Sequence, residues 1–306
     1  MKVVIAGGTG FIGQYLTHRY RTDGHEVFIV SRQTGLHKGV QVVSWANEKQ
    51  LLEILSNADL LINMAGKSVD CRYNEKNKRA ILASRIDTTR KLSQLVKKMP
   101  LPPKVWINSS TATIYRDARD RPMTETSGDI GEGFSVDVAE QWEDTFFKES
   151  TSNTRKVALR TAIVLAEGGG AYEHFKMLAK IGFGGPQGSG SQMMSFVHVE
   201  DAYGAIEFIR QSDSDKEVFN VSAPNPVTNR AFMKTLREML GVRVGVRIYS
   251  WMLAIGAFVL RTETELLLKS RWVIPERLNS RGFDFKYQTI QETLSGIMSG
   301  KQNTVN

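Results

Sequence analysis

The apolar residues fall into short, nearly continuous runs of Val, Ile and Leu, separated by longer stretches in which they recur every three or four positions. Val3–Ala6, Glu26–Val30, Val40–Trp45, Leu60–Met64, Val105–Asn108 and Val157–Leu159 are runs of the first kind. They predict strands covered on both faces, because a strand with one wet face alternates apolar and polar positions. Phe11–Asp23 and Ile81–Met99 carry the helical period instead. Strand and helix alternating at this spacing predict βαβ units, and so an α/β fold with a doubly wound, mainly parallel sheet of Rossmann type.

Beyond about residue 165 the pattern changes. Gly168–Gly170 and the stretch GFGGPQGSG at 182–190 read as loops, and a helical pattern follows over Asp201–Arg210. One more strand-like run, Val218–Val221, is expected to return to the sheet before Ser222-Ala223-Pro224-Asn225-Pro226 breaks the chain. Asn229 is the candidate cap of a helix running to about Leu240. The expected organisation is a Rossmann domain over 1–165, rejoined by 199–221. Residues 166–198 and 222–300 form a smaller C-terminal lobe, and 301–306 a flexible polar tail. The most apolar run, IYSWMLAIGAFVL at 248–260, has 13 residues, short of the roughly 20 that span a bilayer. A buried helix is expected there. The apolar run before Gly7 is far shorter than the ~7–15 residues of a signal peptide's core, so a cytoplasmic protein is expected.

The composition of the 306 residues, 41% hydrophobic and 24% charged, is that of a folded globular protein. The single cysteine, Cys71, excludes a disulfide framework and a Cys-based zinc site. The five histidines show no metal-ligand spacing with the carboxylates, so no metal is expected. Forty Lys and Arg against 32 Asp and Glu give a net charge of +8, which fits nucleic acid, a membrane surface or an anionic small ligand. Lys76-Asn77-Lys78-Arg79 is too short a basic face for a nucleic-acid reader. The rest of the excess is spread along helices, which argues for solubility rather than DNA or membrane.

An anionic ligand has a better candidate site. Val3–Ala6 runs into Gly7-Gly8-Thr9-Gly10-Phe11-Ile12-Gly13 and then a helix, with glycines at 7, 10 and 13. A tight turn of this kind brings bare N–H groups to a pyrophosphate at the positive end of a helix, and Gly13 lets that helix sit close to the strand. At the end of the second strand, Val30-Ser31-Arg32 stands where a carboxylate would bind a free ribose 2′-hydroxyl. Ser31 and Arg32 can instead hold a 2′-phosphate, favouring NADP, unless Arg32 is only a solvated surface charge.

With these motifs the chain resembles the extended short-chain dehydrogenase/reductases. Asn63-Met64-Ala65-Gly66 and Asn108-Ser109-Ser110-Thr111-Ala112-Thr113-Ile114-Tyr115 support the likeness. More narrowly it is similar to their atypical epimerase-family subgroup, described as nucleoside-diphosphate-sugar epimerases or cell-division-inhibitor-like. Ser84-Arg85, Gln141-Trp142-Glu143, Leu159-Arg160-Thr161, Gly184-Gly185-Pro186, Phe196-Val197-His198-Val199-Glu200-Asp201 and the stretch from Leu266 through Pro275 to Phe283 carry that narrower match. The resemblance implies an NADP-binding domain and a small substrate lobe. Cofactor contacts would come from Gly7, Thr9, Gly10, Phe11, Ile12, Gly13, Ser31, Arg32, Met64, Ala65, Gly66, Arg85 and Ile163. Arg85 also reads as a helix-surface charge beside Asp87.

The resemblance further implies a Tyr with a Lys four residues later, and an upstream Ser or Thr orienting the substrate oxygen. Thr111 fits the hydroxyl. The Tyr and Lys slots hold Phe134 and Val138, neither of which can carry a proton. Tyr115 is the candidate replacement acid, against the alternative of a buried tyrosine with its hydroxyl satisfied. His198 could orient a substrate or simply be structural, and Cys71 has no identifiable base. Two functions stay open: an NADP-dependent oxidoreductase or epimerase acting on a small, sugar-like substrate, or a catalytically degenerate NADP(H)-binding redox sensor. A monomer or homodimer is expected in either case.

Overall fold

Alternate residues of the same strand are buried on opposite sides of one sheet, which is why the apolar runs are unbroken. In the computed structural model, which describes residues 1–149, 151, 153–212, 217–249, 251–252 and 268–300, the sheet is formed by eight strands. They are β1 (Lys2–Ala6), β2 (Glu26–Ser31), β3 (Gly35–His37), β4 (Val40–Ser44), β5 (Leu60–Asn63), β6 (Val105–Thr111), β7 (Arg155–Thr161) and β11 (Glu217–Val221). Their order is β11-β7-β6-β5-β1-β2-β4-β3, with every pair parallel except β3–β4.

Val3, Ile5, Ile29, Ile62 and Ile107 pack on one face, against α1 (Phe11–Thr22) and α6 (Val199–Gln211). Val4, Val30, Leu61, Trp106 and Ala158 pack on the other, beneath α2 (Glu48–Leu55), α3 (Glu75–Lys97) and α4 (Phe134–Lys148). β1 lies between β2 and β5, so the chain leaves it in both directions. The crevice beyond the carboxyl ends of these strands is therefore the topological switch point, where α/β sheets bind ligands.

A second core lies outside the sheet. Tyr172, Phe175, Phe232, Leu236, Leu294 and Ile297 bring together α5 (Gly170–Leu178), α7 (Asn229–Met239) and α9 (Ile290–Ser299). The short strands β8 (Ile163–Leu165), β9 (Met193–Met194), β10 (Phe196–His198) and β12 (Val227–Thr228) form two-stranded pairs beside them, and α8 (Glu276–Ser280) packs near β11.

The structure departs from the sequence pattern in three places. The antiparallel edge strand β3 leaves no trace in the pattern, because its Gly-Leu-His carries no apolar period and Leu36 is 80% exposed. Helix α3 starts six residues before Ile81, at Glu75, where the Asn74 side chain accepts the Asn77 N–H. Thr228, not Asn229, caps α7 by accepting the Ala231 N–H; Asn229 is fully buried, its side chain accepting the Gln187 N–H at 2.8 Å. Most of the apolar run 248–260, like the tail 301–306, lies outside the described residues. Ile248, at its start, is extended and bridges Gln187. Among the described residues no helix is long and apolar enough to cross a membrane.

Candidate functional site

The glycine loop is fitted rather than merely flexible. Gly7 has φ +84° and donates its N–H to the Val30 carbonyl at 2.9 Å. A Cβ on Gly13 would lie 2.3 Å from the Gly7 oxygen and 2.7 Å from the Gly8 Cα, so α1 approaches the turn as only glycine permits. Gly10 caps α1 with no side-chain hydrogen bond, and the first turn holds no acid. The positive end of the helix is thus left for an anion. Thr9 is exposed in the loop, its carbonyl accepting from Gln14. The Phe11 ring lies against Gly169 and Gly170, where a Cβ would come within 2.6 and 2.8 Å of it.

At the tip of β2, Ser31 closes a local turn. Its hydroxyl accepts the Gln33 N–H at 3.2 Å and donates to the Gln33 carbonyl at 3.1 Å. Arg32 is exposed beside it, on a hollow shared with Gln33, Thr34 and Asn47.

A cleft of about 380 Å³ opens at the switch point. It brings together Phe11, Ile12, Met64, Arg85, Thr111 and Ile163 from the anticipated set, with Phe134 and Val138 on the opposite wall. Ala65 is buried behind Met64, its N–H on Asn63 Oδ1 at 3.2 Å, and Gly66 leaves room for Arg85, whose Cζ would be 3.0 Å from a Cβ there. Arg85 is not a solvated helix charge. Its guanidinium lies 5.1 Å over the Trp142 ring, and one terminal nitrogen donates to the Lys67 and Ile81 carbonyls at 3.0 and 3.1 Å. Burial lowers its pKa. Among the described residues no carboxylate pairs with it; Asp87 reaches toward Arg90 instead, at 3.6 Å.

Two buried polar networks hold the walls. Asn63 donates to Asn108 at 2.7 Å and to Thr89 at 3.1 Å, and Thr89 also accepts from Trp142 Nε1 at 2.9 Å, joining β5, β6, α3 and α4. In the second, Ser110 on the cleft wall donates to Glu143 at 2.5 Å, and Glu143 takes Arg160 in a two-pronged pair at 2.9 and 2.7 Å. Arg160 donates to the Tyr115 hydroxyl at 3.0 Å, which donates to Asn220 at 2.9 Å. Burial pulls the Arg160 pKa down, but the hydrogen bonds and charge of Glu143 outweigh it and raise it overall.

This second network corrects the expectation for Tyr115. The side chain is 1% exposed, its hydroxyl is held between Arg160 and Asn220, and it does not line the cleft. Burial raises its pKa. It is the satisfied core tyrosine of the alternative reading. Thr111 does face the cleft, but its hydroxyl caps the following turn, accepting the Thr113 N–H and donating to the Thr113 hydroxyl, both at 3.1 Å. Tyr73, which the sequence reading passed over, lines the cleft with its ring edge-on to Phe134 at 5.0 Å. Its tyrosine in a polar loop gave no periodic signal.

His198 caps the following helix: its Nδ1 accepts the Glu200 N–H at 3.1 Å and its ring lies 3.9 Å from that of Tyr287. Burial outweighs the neighbouring Glu200 and lowers its pKa to about 4, keeping it neutral. Cys71 points its thiol at the Ser68 carbonyl, 3.6 Å away. No cluster of three metal-ligating side chains occurs among the described residues.

A parallel sheet with a glycine turn at β1, an uncapped α1 and a cleft at the switch point defines a dinucleotide-binding Rossmann protein. The model of the NAD dependent epimerase/dehydratase family matches residues 3–222, and that of a domain of unknown function, DUF1731, matches residues 250–297. The chain therefore belongs to the NAD dependent epimerase/dehydratase family. It is 33% identical to the epimerase family protein YfhF of Bacillus subtilis, over 99% of each chain. It is 30% identical to the human epimerase family protein SDR39U1, over 98% of this chain and all of that one. A crystal structure of human SDR39U1 (isoform 2) with NADPH superposes with a TM-score of 0.87 at 31% identity, covering 98% of this chain and 99% of that one.

Proposed function

We propose that the chain binds NADP(H) across the switch point and acts as an oxidoreductase or epimerase on a small substrate held between the sheet and the second core. The observation that carries this reading is the uncapped N-terminus of α1 beneath a turn that tolerates no Cβ at Gly13. The NADPH of the human SDR39U1 structure supports the choice of cofactor, as does Arg32 in place of an acid at the end of β2. The pyrophosphate would rest on the N–H groups of the loop and α1, the 2′-phosphate on Arg32, and Arg85 would meet a further anionic or ribosyl group. Met64 and Ile163 would flank the nicotinamide. We assign residues 1–165 and 199–221 to the cofactor domain, 166–198 and 222–300 to the substrate lobe, and the protein to the cytoplasm.

When bound, the nicotinamide supplies or accepts the hydride. The residues of the chain position and desolvate: Ile12, Met64, Val138 and Ile163 exclude water from the cleft, and Thr111 and Ser110 line the substrate space. With Phe134 and Val138 at the proton-handling positions, the proton passes to water or to a cleft hydroxyl. Titration with NADPH and NADH, followed by a panel of carbonyl compounds and nucleotide sugars, tests the reading. NADPH binding at least tenfold tighter than NADH, with turnover of one class, is expected; absence of NADPH binding overturns it. The same two apolar side chains favour a second reading, an NADP(H)-binding sensor without catalysis. Tight binding, no turnover, and a partner captured only in the presence of NADPH would select it.

A further inference from the structure

One surface of the second core is both apolar and basic. After α5 the chain makes a π-helical turn, Ala179–Phe183, and the segment 182–188 then runs beside 246–248. Val246 donates to the Gly182 carbonyl at 2.8 Å, Gly185 to Val246 at 3.1 Å, Ile248 to Pro186 at 3.0 Å and Gly188 to Ile248 at 2.8 Å. Ile248 turns inward at 6% exposed, while Ile181, Val244, Val246, Tyr249 and Trp251 are 51–66% exposed. Lone exposed apolar residues are ordinary; five large ones on two segments joined by hydrogen bonds make this surface a candidate interaction site.

Among the described residues, the charges in the patch have one sign. Lys180, Arg243 and Arg247 are exposed within it, and among the described residues none has a carboxylate partner. Arg247 donates to the Gly188 carbonyl at 3.0 and 2.8 Å and lies 5.2 Å over the Tyr249 ring. Neither 176–185 nor 241–252 contains an acid. The nearest acids along the chain are occupied: Glu173 lies 3.4 Å from Lys176 and Glu238 3.8 Å from Lys234. A second copy docking symmetrically would set like charges face to face, so self-association is disfavoured. Interleaved cations, aliphatic side chains and a Tyr–Trp pair match an anionic bilayer surface, where aromatic rings sit at the headgroup level and cations meet lipid phosphates and carboxylates.

We propose that the surface formed by Lys180, Ile181, Arg243, Val244, Tyr249 and Trp251 docks the protein peripherally on anionic phospholipid membranes. It places there some of the positive charge that the sequence reading assigned to solubility alone, and it stands independently of the cofactor. Flotation of the full chain with phosphatidylcholine vesicles, with and without 30 mol% phosphatidylserine, tests it. Binding to the phosphatidylserine vesicles alone, weakened by salt, is expected. Each cation near the surface contributes about fivefold, so Lys180→Gln with Arg243→Gln should weaken binding about 25-fold. Trp251→Ser should weaken it separately, and circular dichroism with thermal melting, measured alongside, should report intact folding in both variants. No flotation with either vesicle overturns the proposal. So does flotation unchanged in the folded variants, or a concentration-dependent dimer that Trp251→Ser dissolves.

Discussion

Replacing Glu143 with Ala would leave the Arg160 guanidinium inside the protein with its main counter-charge gone. The two side chains are only 10% and 13% exposed, so water can do little to screen the loss. Breaking such a buried pair from one side costs about 3–5 kcal/mol, against ~0–1 kcal/mol for a pair in solvent. Set against a typical unfolding free energy of ~5–15 kcal/mol, Glu143→Ala should remove about a fifth of the stability or more. Arg160→Met should cost about as much, because it strands the carboxylate instead. The double variant, Glu143→Ala with Arg160→Met, leaves neither charge behind and should be no worse than either single change. In that variant Tyr115 keeps Asn220 as its acceptor, and Ser110 can turn toward the cleft. Urea unfolding of all four proteins, followed by tryptophan fluorescence, provides the cycle. Losses that simply add, or single variants within ~1 kcal/mol of the parent, would refute a pair held by mutual neutralisation.

Arg32→Ala should weaken NADPH binding about 10–100-fold, the worth of a charge-assisted hydrogen bond, while leaving NADH binding unchanged by calorimetry. Gly13→Ala must displace the loop backbone, so both NADPH affinity and thermal stability should fall, whereas Tyr115→Phe should leave NADPH affinity intact. His198→Asn tests a pH effect with a definite sign. The folded imidazole titrates at about 4 and the unfolded one at about 6.5. Above pH 6.5 it is neutral in both states. As pH falls from 6.5 toward 4 only the unfolded chain takes the proton, which removes ~2 kcal/mol by pH 4.5. Asn can still cap α6 and does not titrate, so the stability difference between the two proteins should shift in the variant's favour by that amount between pH 7 and 4.5, as read by urea unfolding.

The sheet was legible because burial on two faces leaves an unmistakable trace, an apolar residue at every position of Val3–Ala6 and Leu60–Ile62. The phosphate turn was legible because glycine is demanded by geometry that no other residue meets. The catalytic wall was not. Whether Tyr115 faces a substrate or Asn220 depends on β11, 105 residues further along the chain, and no local pattern encodes that meeting. The motifs Gln141-Trp142-Glu143 and Leu159-Arg160-Thr161 carried the resemblance, yet Trp142, Glu143 and Arg160 spend their polar groups inside the protein. Such signatures report how the cleft is braced more directly than what it transforms. Nothing local to Ser84-Arg85 shows that the guanidinium packs over Trp142, a residue 57 positions further along the chain.

Gly168-Gly169-Gly170 looks like slack between two halves of the molecule. Its middle and last members are instead the seat on which the first residue of α1 rests, because the Phe11 ring occupies the space their side chains would fill. A methyl group added there would push on the end of the helix that faces the pyrophosphate. The tract behaves as a bearing, bare because something turns against it, and tolerance to substitution in this stretch should follow the health of the distant turn rather than the flexibility of its own backbone.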